Sequence, residues 1–146
     1  MGQGDGQEVD WLDSLVDSVR RVHATMLKVG GGAQGEHTAS LYAACARPFQ
    51  SAFGEDIYVG PYERAAAILH GIICDHVFVD GNKRTGTGMA MLFLGAALTP
   101  GGPDPKQDDL RLTLLGQVSL AAASGHLTVE QVTFWIRRIF GPADPG

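Results

Sequence analysis

The sequence predicts an all-α domain of about six helices around a central helix, with one small hairpin-like flap. Three observations lead there. Apolar residues recur at a spacing of three to four through most of the chain, which is the period of a helix with one buried face. The breaks between these runs are rich in Gly and Pro. One short stretch, around Ile57-Tyr58-Val59, carries β-branched and aromatic residues between two glycines. A chain of 146 residues with 45% hydrophobic and 18% charged residues has the material for a single packed core.

The first helix is expected from Asp10, a potential cap. Leu12, Leu15, Val16, Val19, Val22 and Met26 form one stripe, and Gly30-Gly31-Gly32 is the stop. His23 borders that stripe and reads as a structural histidine with a hydrogen-bond partner. A shorter helix over 36–46 carries Leu41, Ala44 and Cys45 and ends before Pro48. Residues 53–60 read as the flap. Pro61 suits the first position of a third helix, in which Tyr62, Ala65, Ala66, Leu69, Ile72, Ile73 and His76 follow a 3.6 period. That helix is expected to end near His76, with His70 structural. The central helix is read over 84–98, with Ala90, Phe93, Leu94, Ala97 and Leu98 on one face and Met89 and Leu92 widening it. Gly86 and Gly88 lower its propensity. They either permit close helix approach beside a site or reflect drift in a well-packed helix. A Gly/Pro loop over 99–106 leads to a fifth helix capped by Asp108, with Leu110, Leu114, Val118 and Ala121 inward and Gly125 as its stop. Thr128-Val129-Glu130-Gln131 is a capping box for the sixth, whose apolar face is Val132, Trp135, Ile136, Ile139 and Phe140. One domain is therefore expected over 10–141, with disordered tails at 1–9 and 142–146.

Composition narrows the function. Eleven basic against 16 acidic residues give a net charge of −5, which provides no electrostatic footprint for nucleic acid. No apolar run is long enough to span a bilayer, and the acidic, Gly-rich start does not resemble a signal peptide. The two cysteines, Cys45 and Cys74, lie in apolar helical patterns and read as reduced thiols. These features together lead to the expectation of a cytoplasmic protein with no membrane and no nucleic-acid partner.

Between the third helix and the central one lies His76-Val77-Phe78-Val79-Asp80-Gly81-Asn82-Lys83-Arg84-Thr85-Gly86. A polar knot between two apolar helices exceeds what a turn requires. Gly81 lets backbone approach a ligand. A helix starting near Asn82 offers its first N–H groups to an anion. Lys83 and Arg84 add positive charge. Asp80 is a hard oxygen ligand suited to the Mg²⁺ that accompanies a polyphosphate, and His76 can take a proton near neutral pH. These are the parts of phosphoryl or nucleotidyl transfer. The glycine spacing from Gly81 to Gly86 is that of a P-loop, but Thr87-Gly88 follows where Lys-Ser/Thr is needed, and a helix precedes where a strand is needed.

The same string is similar to the signature of the Fic/Doc family, His-x-Phe-x-Asp/Glu-Gly/Ala-Asn-Gly/Lys-Arg, and every defined position is matched by His76, Phe78, Asp80, Gly81, Asn82, Lys83 and Arg84. Ala46-Arg47-Pro48 also resembles a feature of Doc-type chains, and the order of helices resembles the Fic/Doc fold from about 10 to 141. The resemblance implies ATP as substrate and Mg²⁺ as its companion. It implies His76 as general base, Asp80 as metal ligand, Gly81, Asn82, Lys83 and Arg84 at the phosphates, and Phe78 as the anchor of the loop. It further implies that the flap at Ile57, Tyr58 and Val59 docks a protein target. Fic proteins usually transfer AMP to a protein hydroxyl. Lys in place of the common Gly at position 83 resembles the death-on-curing (Doc) branch, in which the γ-phosphoryl is transferred, the target is translation elongation factor Tu, and a separate antitoxin restrains the toxin. The spacing of an inhibitory Ser/Thr-x-x-x-Glu motif occurs at Ser51 to Glu55, but Asp56 replaces the required Gly/Asn, so no built-in inhibitor is read. An AMP transferase and a non-catalytic binding module are the alternative readings.

Overall fold

A computed structural model describes residues 3–95 and 105–141, with side chains described over 10–95 and 108–141. Among these residues there are six helices: α1 (Gln3–Gly30), α2 (Thr38–Ala46), α3 (Pro61–Cys74), α4 (Asn82–Gly95), α5 (Pro105–Ala123) and α6 (Val129–Phe140). A single 3₁₀ turn, Arg47–Phe49, follows α2, and two short strands, β1 (Ser51–Ala52) and β2 (Glu55–Asp56), form an antiparallel hairpin. The fold is all-α.

The middle of the bundle is α3 rather than α4. It packs against α2, α4, α5, α6 and the 3₁₀ turn, and it divides the core in two. Ala65, Ala66, Leu69 and Ile73 face a cluster built with α4, α5 and α6. Ile68 and Ile72 face a second cluster with Val16, Val19, Leu41, Val77, Phe78 and Met89. The sequence around Ala65 reads as apolar on most sides because both sides are buried. Helix α4 lies close to α3 and α1: a Cβ at Gly86 would meet Ile73 at 3.0 Å, and one at Gly88 would meet Met26 at 3.0 Å. Close approach is therefore the reason for these two glycines.

Several boundaries and faces differ from the periodicity reading. Helix α1 starts at Gln3, so Asp10 lies inside it; Gly4 and Gly6 weaken a helix without ending one. Helix α5 starts at Pro105, which places Asp108 in its first turn, where its carboxylate complements the helix dipole. The buried face of α5 is Leu115, Val118, Ser119 and Ala122, whereas Leu110 is 60% and Leu114 42% exposed. Those leucines line an apolar groove of about 720 Å³ with Trp135 and Ile139 of α6. Leu92 on α4 is likewise exposed. Helix α6 begins with the expected box: Thr128 Oγ1 accepts from Gln131 N, and Gln131 Oε1 accepts from Thr128 N. Both cysteines are free, and burial pushes Cys45 up to about 12. Ala97 and Leu98, the loop over 99–104 and the tail 142–146 lie outside the described residues.

The hairpin also sits earlier than Ile57-Tyr58-Val59. Its register pairs Ser51 with Asp56 and Ala52 with Glu55, and Ile57 N donates to Gln50 O at 3.0 Å. Ile57 and Val59 are exposed beyond the strands, while Tyr58 turns inward to the core and its hydroxyl accepts from Arg47 Nε at 3.3 Å. The two-residue turn is Phe53-Gly54, with φ of 54° and 80°. Positive φ at both positions is what a twisted hairpin asks for, and Asn-Gly satisfies it best. Phe53 is fully exposed, so no packing offsets its left-handed backbone. Phe53→Asn should stabilise the protein by about 1 kcal/mol. Thermal unfolding checks this, and a lower midpoint would contradict it.

Candidate phosphate site at the start of α4

Helix α3 ends in a glycine-type stop that has no glycine. Asp75 N donates to Gly71 O, Val77 N donates to Ile72 O, and His76 between them is left-handed at φ 47°. The Val77-to-Ile72 bond is the outer bond of a Schellman closure, and Val77 and Ile72 pack in the same core cluster. A histidine at the position that favours glycine is a local cost, of the kind that gathers at functional sites. His76 is exposed and has no hydrogen-bond partner among the described residues. The imidazole thus stands two residues past the helix end, not within a buried last turn.

The chain then dips into the core and returns. Val77 and Phe78 are buried, and Val79 and Asp80 are exposed. The dip is held on one side by the segment after α1: His37 N donates to Val77 O at 2.7 Å, and Val79 N donates to Gly35 O at 3.0 Å. Arg20 ties that segment to α1 through a two-pronged bond to Glu36, at 2.9 and 2.8 Å, which keeps the Glu36 carboxyl below its usual range. On the other side, the Asn82 side chain clamps Phe78: Oδ1 accepts from Phe78 N at 2.8 Å and Nδ2 donates to Phe78 O at 2.7 Å. The Phe78 ring stacks on His23 of α1 at 3.7 Å between centroids and 6° between planes.

Asp80 accepts from Gly81 N through Oδ1 at 2.9 Å and from Ala33 N through Oδ2 at 3.2 Å. Each carboxylate oxygen keeps a second lone pair. Gly81 has φ 83°, and its carbonyl accepts from Thr85 N at 2.9 Å, so it is the N-cap of α4. The next three N–H groups, of Asn82, Lys83 and Arg84, have no acceptor among the described residues. The Lys83 side chain is exposed and makes no ion pair among them either. Arg84 behaves differently: its guanidinium donates to Met26 O at 2.7 Å and Gly31 O at 2.9 Å, capping the end of α1.

The site residues read from sequence thus come together on one loop and one helix start, but their side chains divide. Asn82 and Arg84 are engaged by protein backbone. Lys83, His76 and three N–H groups face outward. What sequence reasoning placed only as structural, His23, turns out to touch the site directly. His70, the other histidine read as structural, donates to Leu127 O at 3.2 Å and receives Arg47; burial and that neighbouring charge hold it below its ordinary value.

A model of the Fic/DOC family matches residues 11–94, more than half of the chain. The chain belongs to the Fic/Doc family. Two curated relatives are also similar to this chain. A protein named Toxin Doc, from Mycolicibacterium smegmatis, is 38% identical over 71 residues, covering 49% of this chain and 55% of its own length. One named Protein kinase doc, from Escherichia phage P1, is 31% identical over 83 residues, covering 57% of this chain and 60% of its own. The chain therefore spans little more than half the length of the relatives it matches. The Fic/Doc motif lies inside the matched span, on the loop between α3 and α4. Among the described residues no group of three or more His, Cys, Asp or Glu side chains could hold a metal ion, and no helix is long and apolar enough to cross a membrane. A lone carboxylate with spare lone pairs fits Mg²⁺ that arrives on phosphate oxygens and keeps its waters, not an ion caged by protein.

Asn82→Ala removes both bonds to the Phe78 backbone and leaves a half-buried N–H and C=O unpaired, a cost of about 1–3 kcal/mol. The expected result is a lower unfolding midpoint, with Asn82→Asp falling between, since it keeps the acceptor and loses the donor. Equal midpoints for all three proteins would show that water replaces the clamp without loss.

Proposed function

We propose that this protein is a Doc-type toxin that transfers the γ-phosphoryl of ATP to a hydroxyl of a protein target, translation elongation factor Tu, and so arrests translation. The observation that carries the reading is the start of α4: among the described residues, three N–H groups have no acceptor and lie beside an exposed Lys83 with no ion pair, in a Fic/Doc chain whose exposed His76 has no partner there either. A nucleotide's phosphates fit such an end because the helix dipole and the N–H groups favour an anion. Asn82, Lys83 and Arg84 take part through these N–H groups, Gly81 caps the helix and lets the backbone approach the ligand, and Lys83 adds its ammonium. Asp80 would hold Mg²⁺ on the phosphates, where the ion supplies neutralisation of their charge. His76, whose ring nitrogens have no partner among the described residues, accepts the proton of the attacking hydroxyl. The new bond joins that oxygen to the γ-phosphorus, and the bond from γ-phosphorus to the bridging oxygen breaks, leaving ADP. The exposed apolar residues of the flap region, Ile57 and Val59, support docking of a protein substrate, with Tyr58 fixing the flap's base. The kinase branch rests on Lys83 and on the name of one relative, Protein kinase doc. A separate antitoxin and a cytoplasmic setting belong to the same reading, since Ser51 and Glu55 are used by the hairpin.

The test is intact mass spectrometry of elongation factor Tu after incubation with this protein, ATP and Mg²⁺. A phosphate-sized gain is expected with the wild type and none with His76→Ala. Lys83→Gly should also lose most of the transfer. An AMP-sized gain would move the activity to AMP transfer on the same residues, and full activity of His76→Ala would remove the base from the mechanism.

A further inference from the structure

We propose that His23 is a positioning residue for the phosphate site, holding the peptide between Asp80 and Gly81 in the one orientation that lets α4 begin at Asn82. The proposal rests on the phosphate-site reading above. His23 lies on α1, 57 residues before Asp80, and is only 7% exposed. Its Nε2 is 2.7 Å from the Asp80 carbonyl oxygen. A carbonyl can only accept, so Nε2 carries the hydrogen.

That bond matters because of the glycine that follows. A trans peptide is planar, with C=O and N–H on opposite sides. Gly81 has no Cβ, so the Asp80–Gly81 plane can turn over at little steric cost. Two bonds oppose the turn, one on each side. His23 holds the carbonyl, and Asp80 Oδ1 holds the Gly81 N–H. Turning over would set the carbonyl against the Asp80 carboxylate and the N–H against the imidazole N–H. The two bonds therefore lock one another. Holding that plane holds φ of Gly81 at 83°, and so sets the direction in which the following peptide leaves, whose Gly81 carbonyl accepts from Thr85 N in the first hydrogen bond of α4. His23 is itself fixed, since its ring lies flat on Phe78 and a Cβ at Gly81 would touch its Cδ2 at 3.4 Å. The ring carries both the stack and the bond, so two variants separate them. His23→Phe keeps an aromatic face on Phe78 and lacks the donor. His23→Gln keeps an N–H donor and lacks the stack.

The experiment compares wild type, His23→Phe and His23→Gln by amide hydrogen exchange and by transfer kinetics. In His23→Phe the amides of Gly81 and Thr85 should exchange faster by about 10-fold or more, and kcat should fall about 10- to 100-fold with KM for the protein acceptor unchanged. His23→Gln should recover most of both. Unchanged exchange at Gly81 and Thr85 in His23→Phe, or a Gln variant no better than Phe, overturns the role. Exchange decides even if the wild type transfers nothing, an outcome that would sink the phosphate-transfer reading instead. Should His23→Phe not fold, the ¹⁵N spectrum of His23 in the wild type decides: hydrogen on Nε2 supports the lock, and hydrogen on Nδ1 alone overturns it.

Discussion

Phe78 has to be buried while His76, Val79 and Asp80 stay at the surface, and much of the molecule is arranged to meet that demand. An aromatic side chain driven into the core from a loop drags its own N–H and C=O toward apolar surroundings, where an unpaired group costs as much as a lost hydrogen bond. Asn82 answers for both groups with one side chain. His23 covers the ring, and the segment at Gly35 to His37 pairs with Val77 and Val79 on either side of it. Apart from Asn82, four residues on, these partners are distant in sequence. They come from α1, from the segment after it and from the start of α4, so the loop is formed only when the bundle is.

This explains which parts could be read from the sequence. A helix start is written in a few adjacent residues, and the Thr128–Gln131 box is present as expected. The motif string itself, from His76 to Arg84, stood out in the sequence because its residue types have few other joint uses, and it lies on one loop and one helix start. The roles within it were not legible. That Arg84 reaches back 58 residues to the end of α1 is a tertiary fact with no local signal. The same holds for His23. Periodicity could place it beside an apolar stripe, but could not say that Asp80 lies opposite. The one hint was chemical, a histidine bordering a buried face, which needs a polar partner.

The misread face of α5 has a different cause. Leu110, Leu112, Leu114, Leu115, Val118 and Leu120 cover most of the circumference of that helix, so a 3.6 period fits more than one phase. Neighbours choose the phase. Packing on α3, α4 and α6 selects Leu115, Val118 and Ala122. The hairpin failed for a similar reason. Its strands are two residues long, too short for propensity to outvote the turn, and the turn is set by a positive φ at Phe53 that no aromatic residue advertises.

The charges at the start of α4 complete the account. Positive side chains are disfavoured at a helix N-terminus, by about 0.3–1 kcal/mol each at an exposed site. This helix begins with two in succession. Arg84 escapes the conflict by reaching the carbonyls at the end of α1, the negative pole of another helix, where a cation is favoured. Lys83 has no such outlet among the described residues. It stays beside unpaired N–H groups in a chain that is acidic overall. A fold selected for stability alone would place Asp or Glu there, satisfying the N–H groups and the dipole together. A phosphate does the same from outside. In the proposed reading an anion relieves the mismatch at Lys83, so that its binding and the electrostatic stabilisation of α4 are one event. Arg84 ties α4 to the end of the neighbouring helix to which His23 belongs, so the two adjacent cations divide: one holds two helices together, and the other keeps its charge without a partner among the described residues.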